Sequence, residues 1–131
     1  MNILEIINKD FDMHHKDVEY PATQAVDIIR KFVAVGGKLY KTDKCLFTYF
    51  DNPTDTLDVH SMNAGTGKDL SDSVNEFLNI VPDRYSFITT HYKNPRITNL
   101  SKYFSRPCDV VTTEDGGFKM TIHLRKTNEC I

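Results

Sequence analysis

Three groups of residues in this chain are of types that carry chemistry. Gly65, Thr66, Gly67, Lys68 and Asp69 form a small-residue turn directly before an amphipathic segment. Asp58 and His60 stand two residues apart in the stretch that enters this turn, and Tyr103 lies further on, in "LSKYFS". A helix N-terminus presents unpaired amides and a partial positive charge. Glycines just before it let a ligand approach the backbone, so the turn suits a phosphate or pyrophosphate. It satisfies neither G-x-x-x-x-G-K-[ST] nor G-x-G-x-x-G, and the alternative is that the glycines only reverse the chain. Histidine suits proton transfer near neutral pH. The alternative for Asp58 and His60 is that both face solvent or a neighbouring strand. Tyr103 recurs at helical spacing with Ile97, Leu100 and Phe104, which is also the pattern of a residue at the edge of a core.

Other groupings carry less. His14 and His15 lie among Asp10, Asp12 and Asp17, but adjacent histidines point apart on any regular element, so no metal site is expected. Ser73, Ser105 and Cys108 have no histidine and acid at a recognisable spacing, and nucleophilic catalysis finds no support. The three cysteines (Cys45, Cys108 and Cys130) form no C-x-x-C pair, which argues against a disulfide framework and a thiolate zinc site.

The elements that must position the turn follow from periodicity. Asn2 to Ile7 is a short apolar run, read as a strand, and Asn8 to Glu19 reads as loop or short turns. Tyr20-Pro21 opens a helix whose apolar face is Val26, Ile29, Phe32 and Val33, closed by Gly36-Gly37. Strands are expected at 38–41, 45–50 and 56–61; in the last, Leu57 and Val59 alternate with Asp58 and His60. A helix over 69–80 buries Leu70, Val74, Phe77 and Leu78, with Asp69 as its cap. A strand over 85–92, a short helix around Ile97 to Phe104, and a hairpin around "EDGG" complete the chain.

The order is β, α, β, β, β, α, β, α, β, β in a single domain covering 1–131, a mixed α/β class. Hydrophobic residues are 40%, charged residues 26%, and the formal net charge is −2. No basic excess points to nucleic acid. The aromatic set Phe47, Tyr49, Tyr85, Phe87 and Tyr92 could stack on bases, but strand aromatics are more often core. No run approaches a membrane span, the N-terminal apolar stretch is too short for a signal peptide, and a cytoplasmic protein is expected.

Taken with "MNAGTGKDL", this order resembles the GNAT superfamily of N-acetyltransferases, over nearly the whole chain by topology. The family motif R/Q-x-x-G-x-G/A falls on Met62, Gly65 and Gly67; both glycines match and methionine replaces Arg/Gln. Around the later helix, Leu100 stands where the family often has a general-acid tyrosine, Phe104 where glycine is usual, and Tyr103 is displaced beside them. The resemblance implies a mostly antiparallel mixed sheet flanked by helices. It implies acetyl-CoA as cofactor, with pantetheine along Thr56 to Ser61 (Val59 and Ser61 included) and pyrophosphate at Gly65, Thr66, Gly67, Lys68 and Asp69. Asp58 or His60 would then be the base, Tyr103 the acid, and a small-molecule or protein amine the acceptor. In size and composition the chain also looks like the GNAT-like proteins of tailed phages, some of which look like virion components. That leaves a second reading: a GNAT-fold protein without catalysis that acts by binding a protein partner.

Overall fold

The computed structural model describes residues 1–14 and 22–124. His15, Asp17, Tyr20, Pro21 and Cys130, used above, lie outside the described residues. The N-terminal segment, expected as a strand and then a loop, is instead one helix, α1 (Ile3–His14). Asn2 starts it: its Oδ1 accepts the Glu5 amide at 2.8 Å, and its own amide donates to Glu5 Oε1 at 3.3 Å. Ile3, Ile6, Ile7 and Asp10 then recur at three- and four-residue spacing, a stripe the apolar cluster at Ile6-Ile7 disguises as a strand. The resemblance's opening strand is therefore absent among the described residues.

Helix α2 (Ala22–Ala34) packs beside α1, and Val26 and Ile29 join Ile6, Ile7, Leu46 and Ala64 in one cluster. Phe32 meets Phe50 edge-on at 4.4 Å between ring centres. Val33, expected on the buried face, is exposed. Gly36, at φ +100°, ends the helix, where a β-carbon would be strained.

The sheet has six strands in the order β1-β2-β3-β4-β6-β5: β1 (Lys38–Lys41), β2 (Cys45–Tyr49), β3 (Thr56–Asn63), β4 (Phe87–Tyr92), β5 (Cys108–Thr112) and β6 (Phe118–His123). Every neighbouring pair is antiparallel except β3 and β4, which run parallel. That connection is made by α3 (Gly67–Leu78), which starts and ends two residues earlier than the periodicity suggests. Helix α4 (Pro95–Leu100) continues as a 3₁₀ turn over Ser101–Tyr103.

Side chains on the two faces of the sheet meet different partners. Leu70, Phe77 and Leu78 of α3 bury against Phe47, Leu57, Val59, Ile88, Met120 and Ile122. On the other face α1 packs over β2 and β3. Phe77 is the centre of the first core: it stacks on Phe47 at 4.8 Å and meets Tyr49 at 5.5 Å and Tyr40 at 5.7 Å. Replacing Phe77 by Ala should cost about 3–5 kcal/mol of stability, read as a lower midpoint in urea unfolding followed by circular dichroism.

Candidate functional site

Strands β3 and β4 share three residue pairs, Thr56↔Phe87, Leu57↔Ile88 and Asp58↔Thr89, and no further pair follows. Both strands continue: β3 stays on β2 as far as Asn63, and β4 stays on β6 as far as Tyr92. Their shared edge therefore opens while each outer edge remains bonded. The His60 carbonyl faces β2, where it accepts from Thr48 Oγ1 at 3.4 Å. Alternation along the strand then turns the backbone of Val59 and Ser61 toward the departing β4. These are the two strand positions expected to hold a ligand.

Below the opening lies an apolar cavity of 170 Å³ walled by α3, α4 and the sheet, with Val59, Phe77, Ile88, Ile97 and Met120 among its lining. It runs into a wider cleft of 580 Å³ that reaches Gly65, Gly67, Lys93 and Arg96. His60, Ser61, Leu70, Tyr92 and Ile97 border both.

Asn63 builds the glycine turn. Its Oδ1 accepts the Gly65 amide at 2.9 Å, its Nδ2 donates to the Thr66 carbonyl at 3.1 Å, and its own amide donates to Asp10 of α1 at 2.9 Å. Thr66, rather than Asp69, is the N-cap of α3: Thr66 Oγ1 accepts the Asp69 amide at 3.3 Å, and Asp69 Oδ2 accepts the Thr66 amide at 2.7 Å. Neither glycine has a positive φ. A β-carbon on Gly65 would overlap the Asp69 carboxylate, and one on Gly67 would stand 3.2 Å from Leu100 Cδ2. The glycines are therefore required for close approach rather than for backbone conformation.

The capping box decides what the turn can bind. Gly65, Thr66 and Asp69 spend their amides inside the protein, whereas the amides of Gly67 and Lys68, in the first helical turn, meet no acceptor among the described residues. Asp69 turns back onto Thr66, with Lys44 Nζ 3.6 Å from its Oδ2. The Thr66 amide and hydroxyl, with Lys44 nearby, hold its carboxyl below the usual carboxylate range. Within the turn, only the Gly67 and Lys68 amides thus stay without an acceptor among the described residues; the Lys68 side chain lies 3.4 Å from Asp72.

The residues expected to move protons separate. Asp58 and His60 are both exposed on β3 and project to the face opposite the cavity core, as the alternation predicts. Asp58 Oδ1 accepts from Thr89 Oγ1 at 3.0 Å and stands 4.0 Å from His91 Nδ1. His60 reaches the opening. Tyr103 does not: it is 61% exposed, borders neither cavity, and its carbonyl takes a hydrogen bond from Asn75. The 3₁₀ turn rotates it outward and leaves Leu100 against Gly67. Tyr92 supplies the hydroxyl in the cleft, at 2.7 Å from Thr98 Oγ1. Sequence reasoning missed Tyr92, His91 and Asn63. The alternation within "FITTHY" carries the first two, Tyr92 inward and His91 outward, but nothing local marks where β4 leaves β3.

The fold is similar to that of the Campylobacter jejuni N-acetyltransferase PseH, solved in complex with acetyl coenzyme A, with a TM-score of 0.56 over 94% of this chain and 92% of that one at 9% sequence identity. The mixed six-stranded sheet with its flanking helices is thus a GNAT-like α/β fold. No family model matches the sequence. No curated protein matches it either. Among the described residues, no helix is long and apolar enough to cross a membrane.

Because the folded carboxyl of Asp69 titrates below its unfolded value, its contribution is present above pH about 4 and is lost as pH falls through the lowered value. Asp69→Asn should therefore lower the melting temperature at pH 6 and narrow the gap to wild type as pH drops toward 3, as followed by thermal melts across that range.

Proposed function

We propose that this protein is an N-acetyltransferase that uses acetyl-CoA to acylate an amine. The observation that carries the reading is the β3–β4 edge, which opens after Asp58↔Thr89 beside an apolar cavity and leads to the Gly67 and Lys68 amides. Backbone groups left unpaired at an opening are costly unless water or a ligand satisfies them. Val59 and Ser61 can bond the amides of a pantetheine arm as a strand would. The Gly67 and Lys68 amides, at the positive end of α3, face a pyrophosphate. Lys93 and Arg96 border the same cleft and add positive charge for the remaining phosphate.

When bound, acetyl-CoA supplies an acetyl group activated as a thioester. The chain's own residues then fix it and manage protons. The apolar cavity keeps water from the acyl end. Tyr92, whose hydroxyl is bonded to Thr98 at the border of the cleft, would protonate the departing sulfur, the role first expected of Tyr103. Asp58 and His60 stand on the far side of the opening, where an incoming amine loses one.

The second reading is a GNAT-fold protein that binds a protein partner, for instance within a phage particle, without catalysis. It is favoured by Leu100, which places a methyl group where the family often has a tyrosine hydroxyl, and by the outward Tyr103.

Calorimetric titration with acetyl-CoA separates the two. Wild type should bind in the micromolar range. Gly67→Asp keeps a residue type favoured in a first helical turn, yet sets a carboxylate against the pyrophosphate, and should weaken binding by about tenfold or more. Lys93→Glu with Arg96→Glu should weaken it without touching the turn. No heat of binding at millimolar acetyl-CoA would sink the enzyme reading and make the second one the working model.

A further inference from the structure

The opening in the sheet is a window with two sides. Its inner side is the apolar cavity; its outer side is the sheet face that carries Asp58 and His60 on β3 and Thr89 and His91 on β4. The first outward residues beyond the last β3–β4 pair are His60 on one jamb and His91 on the other. Both border the cavity. From the outer face, an acyl carbon held inside is approached between these two imidazoles.

The two histidines are not equivalent. His60 has no side-chain hydrogen bond or ion pair among the described residues, and its ring is free to turn. His91 is addressed by Asp58: Thr89 Oγ1 holds Asp58 Oδ1 at 3.0 Å, and that same oxygen stands 4.0 Å from His91 Nδ1. This is ion-pair distance rather than a hydrogen bond. The carboxylate lies on the Nδ1 side of the ring, which leaves Nε2 as the ring nitrogen that does not face it.

We propose that His91 takes the proton of the acceptor amine, that Asp58 is its positioning residue, and that the acceptor enters from the face of the sheet that carries α1, beside its C-terminal end. The proposal rests on the acetyl-transfer reading and reassigns the base within it. His91 Nε2 takes one proton from the entering ammonium. The freed nitrogen pair forms the new bond to the acyl carbon, and the carbon–sulfur bond breaks with its electron pair left on sulfur. The second amine proton reaches that sulfur by way of the Tyr92 hydroxyl. His91 returns its proton to solvent, so amide and free thiol are the products and every proton is accounted for.

The test measures thiol release from acetyl-CoA with 2-aminoethanol as the amine probe, beside calorimetric binding of acetyl-CoA. His91→Ala should lose about a hundredfold in rate with acetyl-CoA affinity unchanged, and added imidazole should restore part of the loss. Asp58→Asn should lower kcat by about tenfold, and Asp58→Glu should recover most of it, which a merely structural role would not produce. His60→Ala should lose less than His91→Ala. A His91→Ala rate equal to wild type, a larger loss in His60→Ala, or no release by a wild-type protein that binds acetyl-CoA would each overturn the proposal. Failure of wild type to bind acetyl-CoA is a separate result, seen by calorimetry before any kinetics, and strikes the acetyl-transfer reading itself.

Discussion

A parallel pair of strands that stops after three residue pairs governs the rest of this molecule. β3 is bonded to β2 along its outer edge and β4 to β6 along its own, so each strand is stable to its end without the other. Between them the ladder closes at Asp58↔Thr89 and then opens. Buried backbone amides and carbonyls are almost always paired. An edge that parts beside an apolar cavity therefore leaves polar groups suited to another chain-like partner. The strands are held apart at their far ends. The Asn63 amide is tied to Asp10 on α1, and β4 runs directly into α4, capped by Asn94.

The glycine turn is shaped by competition for its amides. A carboxylate three residues into the helix already satisfies the Thr66 amide, and the side chain of Asn63 satisfies Gly65. What remains for a ligand is Gly67 and Lys68. The negative charge of Asp69 is offset by the Thr66 donors and by Lys44, so the helix dipole is not cancelled at the positions that stay open. The lack of a β-carbon at Gly65 is what lets the carboxylate lie there.

The two faces of the window differ in character. Inward, the lining is aliphatic and aromatic, anchored by Phe77 and its three ring neighbours. Outward, imidazoles, a carboxylate and a threonine hydroxyl surround the gap. That asymmetry is what the proposed acetyl transfer would use: a dry seat on one side and polar, titratable side chains on the other. Helix α4 closes the inner side, where Asn75 of α3 bonds both the Tyr103 carbonyl and the Ser105 amide.

Local pattern was enough for most of the elements. The alternation of Leu57 and Val59 with Asp58 and His60, the stripe of Leu70, Val74, Phe77 and Leu78, and the glycine turn between them placed the β3–α3 junction. Periodicity failed at the N-terminus because Ile6 and Ile7 are adjacent, and only the Asn2–Glu5 cap and the packing of α1 on β2 and β3 show the helix. On the outer side of the gap, only Asp58 and His60 were legible. Tyr103 is a displaced neighbour of the motif's tyrosine position, which Leu100 occupies, but a 3₁₀ turn swings it to solvent. Tyr92 and His91 acquire their positions from where two strands distant in sequence stop pairing. Strand separation is a property of a shared edge, set by hydrogen bonds to β2 and β6, and no residue in either strand encodes it alone.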